Sequence, residues 1–147
     1  MRHTTYSFLD LGGVIMHPMY AGGPFQFTGE GTGNVTVSMS TDRSHQDIAA
    51  DGSIMLSKIA GNNGQIQIEC QQTSAVHKYL TALYGWLITE GSEKWGMMSV
   101  ALRNAVHGNS HFASGVSFVK LPDESYQAQG QKVTWVLMAA DIVKMPM

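Results

Sequence analysis

Charged side chains are scarce, making up 14% of the 147 residues, where a soluble domain carries about 25%. Gly, Ser, Thr, Asn and Gln fill the gap. They leave a neutral polar surface that another subunit can cover without a heavy desolvation cost. Nine Lys and Arg stand against eleven Asp and Glu, for a formal net charge of −2, and no run of basic residues occurs. Tight nucleic-acid binding neutralises phosphates with such runs, so that class is excluded. A single cysteine, Cys70, rules out an internal disulfide and with it a secreted disulfide scaffold. No stretch approaches the roughly 20 apolar residues of a membrane span, and the opening Met1-Arg2-His3-Thr4-Thr5-Tyr6 has no apolar signal core. Assembly in the cytoplasm without membrane insertion is the expectation.

Patterns that carry chemistry are missing as well. Cys70 falls on the apolar parity of a strand, which reads as an inert core thiol and not an activated nucleophile. His107 and His111 flank Gly108-Asn109, a turn, and neither a Cys pair nor an H-E-x-x-H supplies the rest of a zinc site. His3, His17, His45 and His77 are scattered singly. The stretch beginning at Asp47 has Ala49 and Lys58 at the third and twelfth positions of a calcium loop, so a hairpin turn accounts for Asp51-Gly52. Gly29-Glu30-Gly31-Thr32-Gly33 lacks the Lys-Ser/Thr and the helix of a phosphate cradle. Asp123 and Glu124, beside Pro122, read as a solvated bend and not an acid–base pair. No catalytic residue, metal site or cofactor is expected, and the chain does not read as an enzyme.

What is present is period-two alternation, interrupted once by a helical pattern. The length suits one domain spanning 1–147 with a real hydrophobic core. Ser7 to Met16 reads as a strand, and His17 to Gly33 as a long glycine-rich loop that is either mobile or ordered by a neighbour. Asn34 to Thr41 alternates, with Val35, Val37 and Met39 on one face and Thr36, Ser38 and Ser40 on the other. Asp42 to Lys58 is an extended hairpin bending at Asp51-Gly52, a pair suited to a turn with two positive φ angles. Gln65 to Gln72 places Ile66, Ile68 and Cys70 inward and Gln65, Gln67, Glu69 and Gln71 outward.

Thr73 or Ser74 caps a helix running to about Glu90, with Val76, Tyr79, Leu80, Leu83 and Leu87 on one stripe. Tyr84, Trp86 and Ile88 widen that stripe, so the helix touches something on a second side. Strands follow over 97–104, 111–120 and 131–141. The last is apolar on both faces, Val133, Trp135, Leu137 and Ala139 against Val136, Met138 and Ala140, which predicts cover on both. The sum is a mainly β protein, an antiparallel barrel or sandwich with one flanking helix. Its strands have no internal Pro and few Lys, so its edges are poorly protected against pairing with other chains.

An ordered series of segments resembles the tail tube proteins of contractile-tailed phages. It comprises Thr5-Tyr6-Ser7-Phe8-Leu9-Asp10, Ala50-Asp51-Gly52-Ser53, Gln72-Thr73-Ser74, the helix through Leu80, Ala82, Leu83 and Tyr84, Val119-Lys120-Leu121-Pro122-Asp123, Tyr126, Gly130 and Val133-Thr134-Trp135. The similarity runs from Thr5 to about Ile142 and departs in 17–33 and around Trp86 to Trp95. It implies a fold shared with the tubes of type VI secretion: six-membered rings of identical subunits, stacked into a hollow tube that conducts DNA during ejection. It also implies sheath, baseplate and tail terminator proteins as partners, and a place in the virion tail.

A lumen that lets genomic DNA slide without specific binding should be neutral. Gln65, Gln67, Glu69 and Gln71, or the Thr36, Ser38 and Ser40 row, are the candidates to line it. The projecting segments 17–33 and 42–58 are expected to carry intersubunit contacts through Gly22, Gly23, Phe25, Phe27, Arg43, His45, Asp51 and Gly52. Two other readings stand beside this one. One is the tube of a contractile secretion or tailocin device without a genome; the other is a small β-barrel ligand-binding module with Trp135, Trp86 and Tyr84 around a pocket.

Overall fold

The computed structural model describes residues 2–146 except 30, 105 and 107. In chain order its main elements are β1 (Leu11–Met16), β2 (Phe25–Thr28), β3 (Thr32–Met39), β4 (Ser44–Ile48), β5 (Ile54–Lys58), β6 (Gly64–Gln71), α1 (Ala75–Thr89), β7 (Met98–Asn104), β8 (Asn109–Phe118) and β9 (Lys132–Pro146). Seven strands form one sheet in the order β2-β1-β7-β8-β9-β6-β3, antiparallel at every pairing, while β4 and β5 pair only with each other. The sheet curls. Val35 and Val37 near one edge line the same hollow as Leu11, Leu102 and His111 from the other half. The architecture is therefore mainly β with one flanking helix, a half-barrel.

Alternation in β6 and β9 builds the core. Val35, Ile68 and Trp135 lie side by side across β3, β6 and β9, and Val37, Ile66 and Leu137 form the next rung. Ile68, Trp135 and Leu137 are wholly buried. Each such side chain contributes about 1.5–3 kcal/mol of hydrophobic stabilisation. Cys70 sits in the same row, and burial pushes its thiol pKa up, as an inert core cysteine requires.

Ser74 starts α1, its hydroxyl accepting from the His77 N–H at 3.3 Å. The helix carries the chain from β6 across β9 and β8 to β7, laying Leu80, Leu83 and Leu87 on the sheet. Trp135 and Phe118 meet at 5.4 Å between ring centres, and Tyr84 stands edge-on to Phe118 at the same distance. A second side of the helix meets the β1–β2 connection: Trp86 lies 4.9 Å from the His17 ring and 5.2 Å from Tyr20. Ile88 does not share that cover and is 57% exposed.

Four expectations change. The strand predicted from Ser7 begins at Leu11, because Phe8–Asp10 form a 3-10 turn closed by the Ser7 hydroxyl on the Leu9 N–H. The segment 17–33 is not one loop. It contains β2, which pairs with β1, and the start of β3. The physical cause is Gly13, which leaves room for the Phe27 ring to seat over β1 where a Cβ would stand. The hairpin bend has one positive φ, at Gly52 (+89°), and not two. Gly52 N–H reaches the Ala49 carbonyl at 2.9 Å and Ala49 N–H the Ser53 carbonyl at 2.8 Å, so the connection is a turn followed by a left-handed glycine.

The fourth change concerns β9, which is covered on one face only. Met138 is 49% exposed. Ala140 is exposed and Val136 is half-buried, because helix and core lie on the same side of the sheet.

Candidate assembly surfaces

The two neutral rows named as alternatives form one continuous face. Thr36 pairs with Gln67 and Ser38 with Gln65, while Ser40 follows, its N–H bonded to the Asn63 carbonyl at 3.0 Å. Across β6, Gln65 neighbours Met138, Gln67 neighbours Val136, Glu69 neighbours Thr134, and Gln71 neighbours Lys132. The face is thus Ser, Thr, Gln and Asn with an apolar margin on β9 that the alternation alone assigned to the interior. Glu69 and Lys132 bring opposite charges to it, with the ammonium 3.5 Å from the carboxylate. Both are partly exposed, so the pair adds little stability but cancels the local charge.

The β4–β5 hairpin stands apart from the sheet. Every residue of β4 is exposed, and of β5 only Ser57 is partly covered. Ile48 pairs with Ile54, and Leu56 is on the same face. All three are more than 60% exposed. An isolated two-stranded hairpin is marginal in water. Arg43, His45, Asp51 and Gly52 are all exposed here, Arg43 and His45 at the base and Asp51-Gly52 at the tip. The Ser53 N–H donates to Asp51 at 2.9 Å and holds its carboxyl below the usual carboxylate range.

The segment 17–33 is tied to its own subunit at several points. His17 is buried; its Nδ1 accepts from the Met19 N–H at 3.1 Å, leaving Nε2 to donate to the Lys94 carbonyl at 2.8 Å. The Tyr79 hydroxyl donates to the Gly23 carbonyl at 2.7 Å, and its ring stacks on Phe25 at 4.9 Å. Phe27 is 4% exposed and belongs to the core, so it has no surface to offer a neighbour. Gly22 and Gly23 remain exposed or partly so at the bend.

The aromatic trio considered for a ligand pocket is packed in the core. Trp135 is fully buried, with Tyr84 at 6.4 Å and Phe118 at 5.4 Å; Trp86 is occupied by His17 and Tyr20. Of the histidines, His111 lies partly buried on β8, where burial and then Lys144 push its pKa down; His107 lies outside the described residues. Among the described residues no group of three His, Cys, Asp or Glu could hold a metal ion, and no helix is long and apolar enough to cross a membrane.

One pairing escaped the sequence. His77 is buried, accepts the Trp135 indole N–H on Nδ1 at 3.1 Å, and directs Nε2 to Glu124 at 2.9 Å. An indole nitrogen only donates, so Nδ1 carries the lone pair and the proton sits on Nε2. Glu124 is therefore not in a free solvated bend. With Gln72 donating to the Ser125 carbonyl at 2.7 Å, it fastens the long 119–131 connection to the start of α1. The available signal was position: His77 directly follows Val76 on the buried stripe with Leu80, Leu83 and Leu87.

Solved structures share this fold across nearly the whole chain. A chain of the anti-feeding prophage baseplate, solved by cryo-EM with six-fold symmetrisation, superposes with a TM-score of 0.68 at 12% identity, covering 99% of this chain and 98% of that one. A chain of the sheath–tube complex of an extracellular contractile injection system in the extended state gives 0.59 at 10% identity, over 92% and 88%. A chain of that system's sheath/tube terminator gives 0.62 at 9% identity, over 97% and 98%. No curated protein sequence gives a significant match. The family model described as the bacteriophage PhiTE tail tube protein matches residues 3–146. The chain belongs to that tail tube family and is a structural protein of the tail tube, not an enzyme.

Proposed function

We propose that this chain forms six-membered rings that stack into a hollow tube and conduct DNA during ejection. The observation that carries this reading is the face shared by β3, β6 and β9. It is rich in amides and hydroxyls, and the Lys132 ammonium on it is held beside the Glu69 carboxylate. Polyanionic DNA would find no phosphate anchor on it, so a lumen lined by Gln65, Gln67, Glu69, Gln71, Thr36, Ser38 and Ser40 confines DNA without binding it. The outermost strands of the sheet, β2 and β3, and the projecting hairpin suit contacts that close a ring and repeat along an axis. Gly22, Gly23, Phe25, Arg43, His45, Asp51 and Gly52 supply those contacts in this reading. Sheath, baseplate and terminator are its partners, consistent with the complexes in which the structural neighbours were solved, and assembly takes place in the host cytoplasm.

Negative-stain microscopy of the purified protein at high concentration tests this. Tubes or six-membered rings support it, and a featureless monomer at every concentration overturns it. Replacing Asp51-Gly52 with bulky residues should impair polymerisation while leaving a folded subunit, since Gly52 alone occupies the left-handed region there. A second reading is the tube of an injection device without a genome, favoured by the kinship of fold with anti-feeding prophage and extracellular injection chains. Nuclease-protected DNA in purified particles decides between the two.

A further inference from the structure

Leu102, His111 and Lys144 share one rung across β7, β8 and β9. Two residues along, Ala113 and Ile142 form the buried pair of β8 and β9, so strand alternation turns His111 and Lys144 to that same concave side. Arg43, between β3 and β4, joins them around a hollow of ≈ 440 Å³ floored by Val37, Met39 and Ile142. A second hollow of ≈ 220 Å³ adjoins it through Val37 and His111. Among the described residues no carboxylate and no part of α1 lines either one.

This placement gathers bases without a counter-charge from the chain itself. Neither Arg43 nor Lys144 forms an ion pair with a carboxylate among the described residues. Once His111 takes a proton, it and Lys144 are like charges directly opposite each other, which destabilises a sheet. Burial and then Lys144 accordingly hold the His111 pKa below its ordinary 6.5. The other groups around His111 offer no relief. The N-terminal segment brings Tyr6 and β7 brings Leu102, while Arg103, on the opposite parity of β7, borders the smaller hollow.

We infer that the larger hollow is a binding site for a small organic anion, its oxyanion reaching Arg43, His111 and Lys144 and its apolar body lying on Val37, Met39 and Ile142. An oxyanion offsets the repulsion among three bases, and the aliphatic floor favours anions that carry hydrocarbon. The site lies opposite the amide-rich face of β3 and β6, because Val35 and Val37 alternate with Thr36 and Ser38. It does not rest on how the subunits assemble. Binding favours the protonated imidazole, so affinity rises as pH falls through the range in which His111 takes its proton.

Octanesulfonate, an anion at every pH used, is the probe. The full chain is kept dilute enough to remain as single subunits. Its His111 imidazole protons are followed by NMR against pH and assigned by their loss in His111→Gln. Saturating octanesulfonate should raise the His111 titration midpoint by about one pH unit, equivalent to about tenfold tighter binding to the protonated form. Sulfate and 1-octanol at the same concentration should each move it far less. Arg43→Gln combined with Lys144→Gln should abolish the shift, and Met39→Ser should weaken octanesulfonate while leaving sulfate unchanged; all three positions are exposed. No shift with octanesulfonate, or an equal shift in the Arg43 and Lys144 variant, overturns the site. Sulfate that matches octanesulfonate overturns the organic anion as its ligand. Should the variants lose their fold, the three probes on the wild-type chain still decide.

Discussion

The helix-covered end of the curled sheet and the β4–β5 hairpin are built from the same ingredients with opposite outcomes. Both are antiparallel strands with apolar residues in register. In β6 and β9 the pairs Ile66–Leu137 and Ile68–Trp135 vanish under α1, while in the hairpin the pair Ile48–Ile54 lies open. The difference is a third element. Three packed strands and a helix exclude water from both flanks of a side chain, and a lone two-stranded ribbon cannot. The lesson is that one end of this subunit buries its apolar pairs within its own chain and the other leaves them exposed.

The largest expected effect lies in the buried end. Trp135→Ala removes a wholly buried indole and should cost about 3–5 kcal/mol of unfolding free energy, read by chemical denaturation. A small loss would show that the core is not organised on Trp135. His77→Leu comes next. It leaves the Trp135 N–H without its acceptor at a buried site, for about 1–3 kcal/mol, and releases Glu124 so that 119–131 becomes more susceptible to proteolysis. Equal protease resistance would separate the fastening of that segment from the stability of the core.

Alkaline pH should act next. Burial raises the folded-state pKa of Cys70, and that of Tyr79 beside Tyr20. Both groups then contribute stability that is fully present below their ordinary values of 9.0 and 10.0 and is lost as pH rises through the folded values. Melting temperature should therefore fall above pH 9, and Cys70→Val should flatten the first part of that fall. The smallest effect belongs to the open side. Met138→Glu should change subunit stability by no more than about 0.5 kcal/mol, because the side chain is 49% exposed. A large loss of subunit stability would mean that the outer face of β9 is covered after all.

Much of the buried end was legible. The alternation through Ile66, Ile68 and Cys70, and through Val133, Trp135, Leu137 and Ala139, carries its own period and needs no partner to be seen. Ser74 announces the helix through local capping chemistry. The Gln65 and Thr36 rows were each legible as neutral faces, but their union was not, since it depends on pairing Gln67 with Thr36 from strands about thirty residues apart. β2 was hidden because its signal is a short apolar pair inside a glycine-rich stretch, made a strand only by the vacancy at Gly13. His77 and Glu124 were hidden because they lie far apart along the chain.

The chain's order of residues settles the local facts: which positions alternate, where the helix begins, how little charge there is to hold DNA. Those follow from interactions within a few residues. Which side of β9 is inside, which strands remain as edges, and that the apolar pair Ile48–Ile54 stays exposed are decided only when distant segments meet. Nothing local distinguishes Met138 from Leu137 in hydrophobicity; the side on which α1 crosses the sheet does.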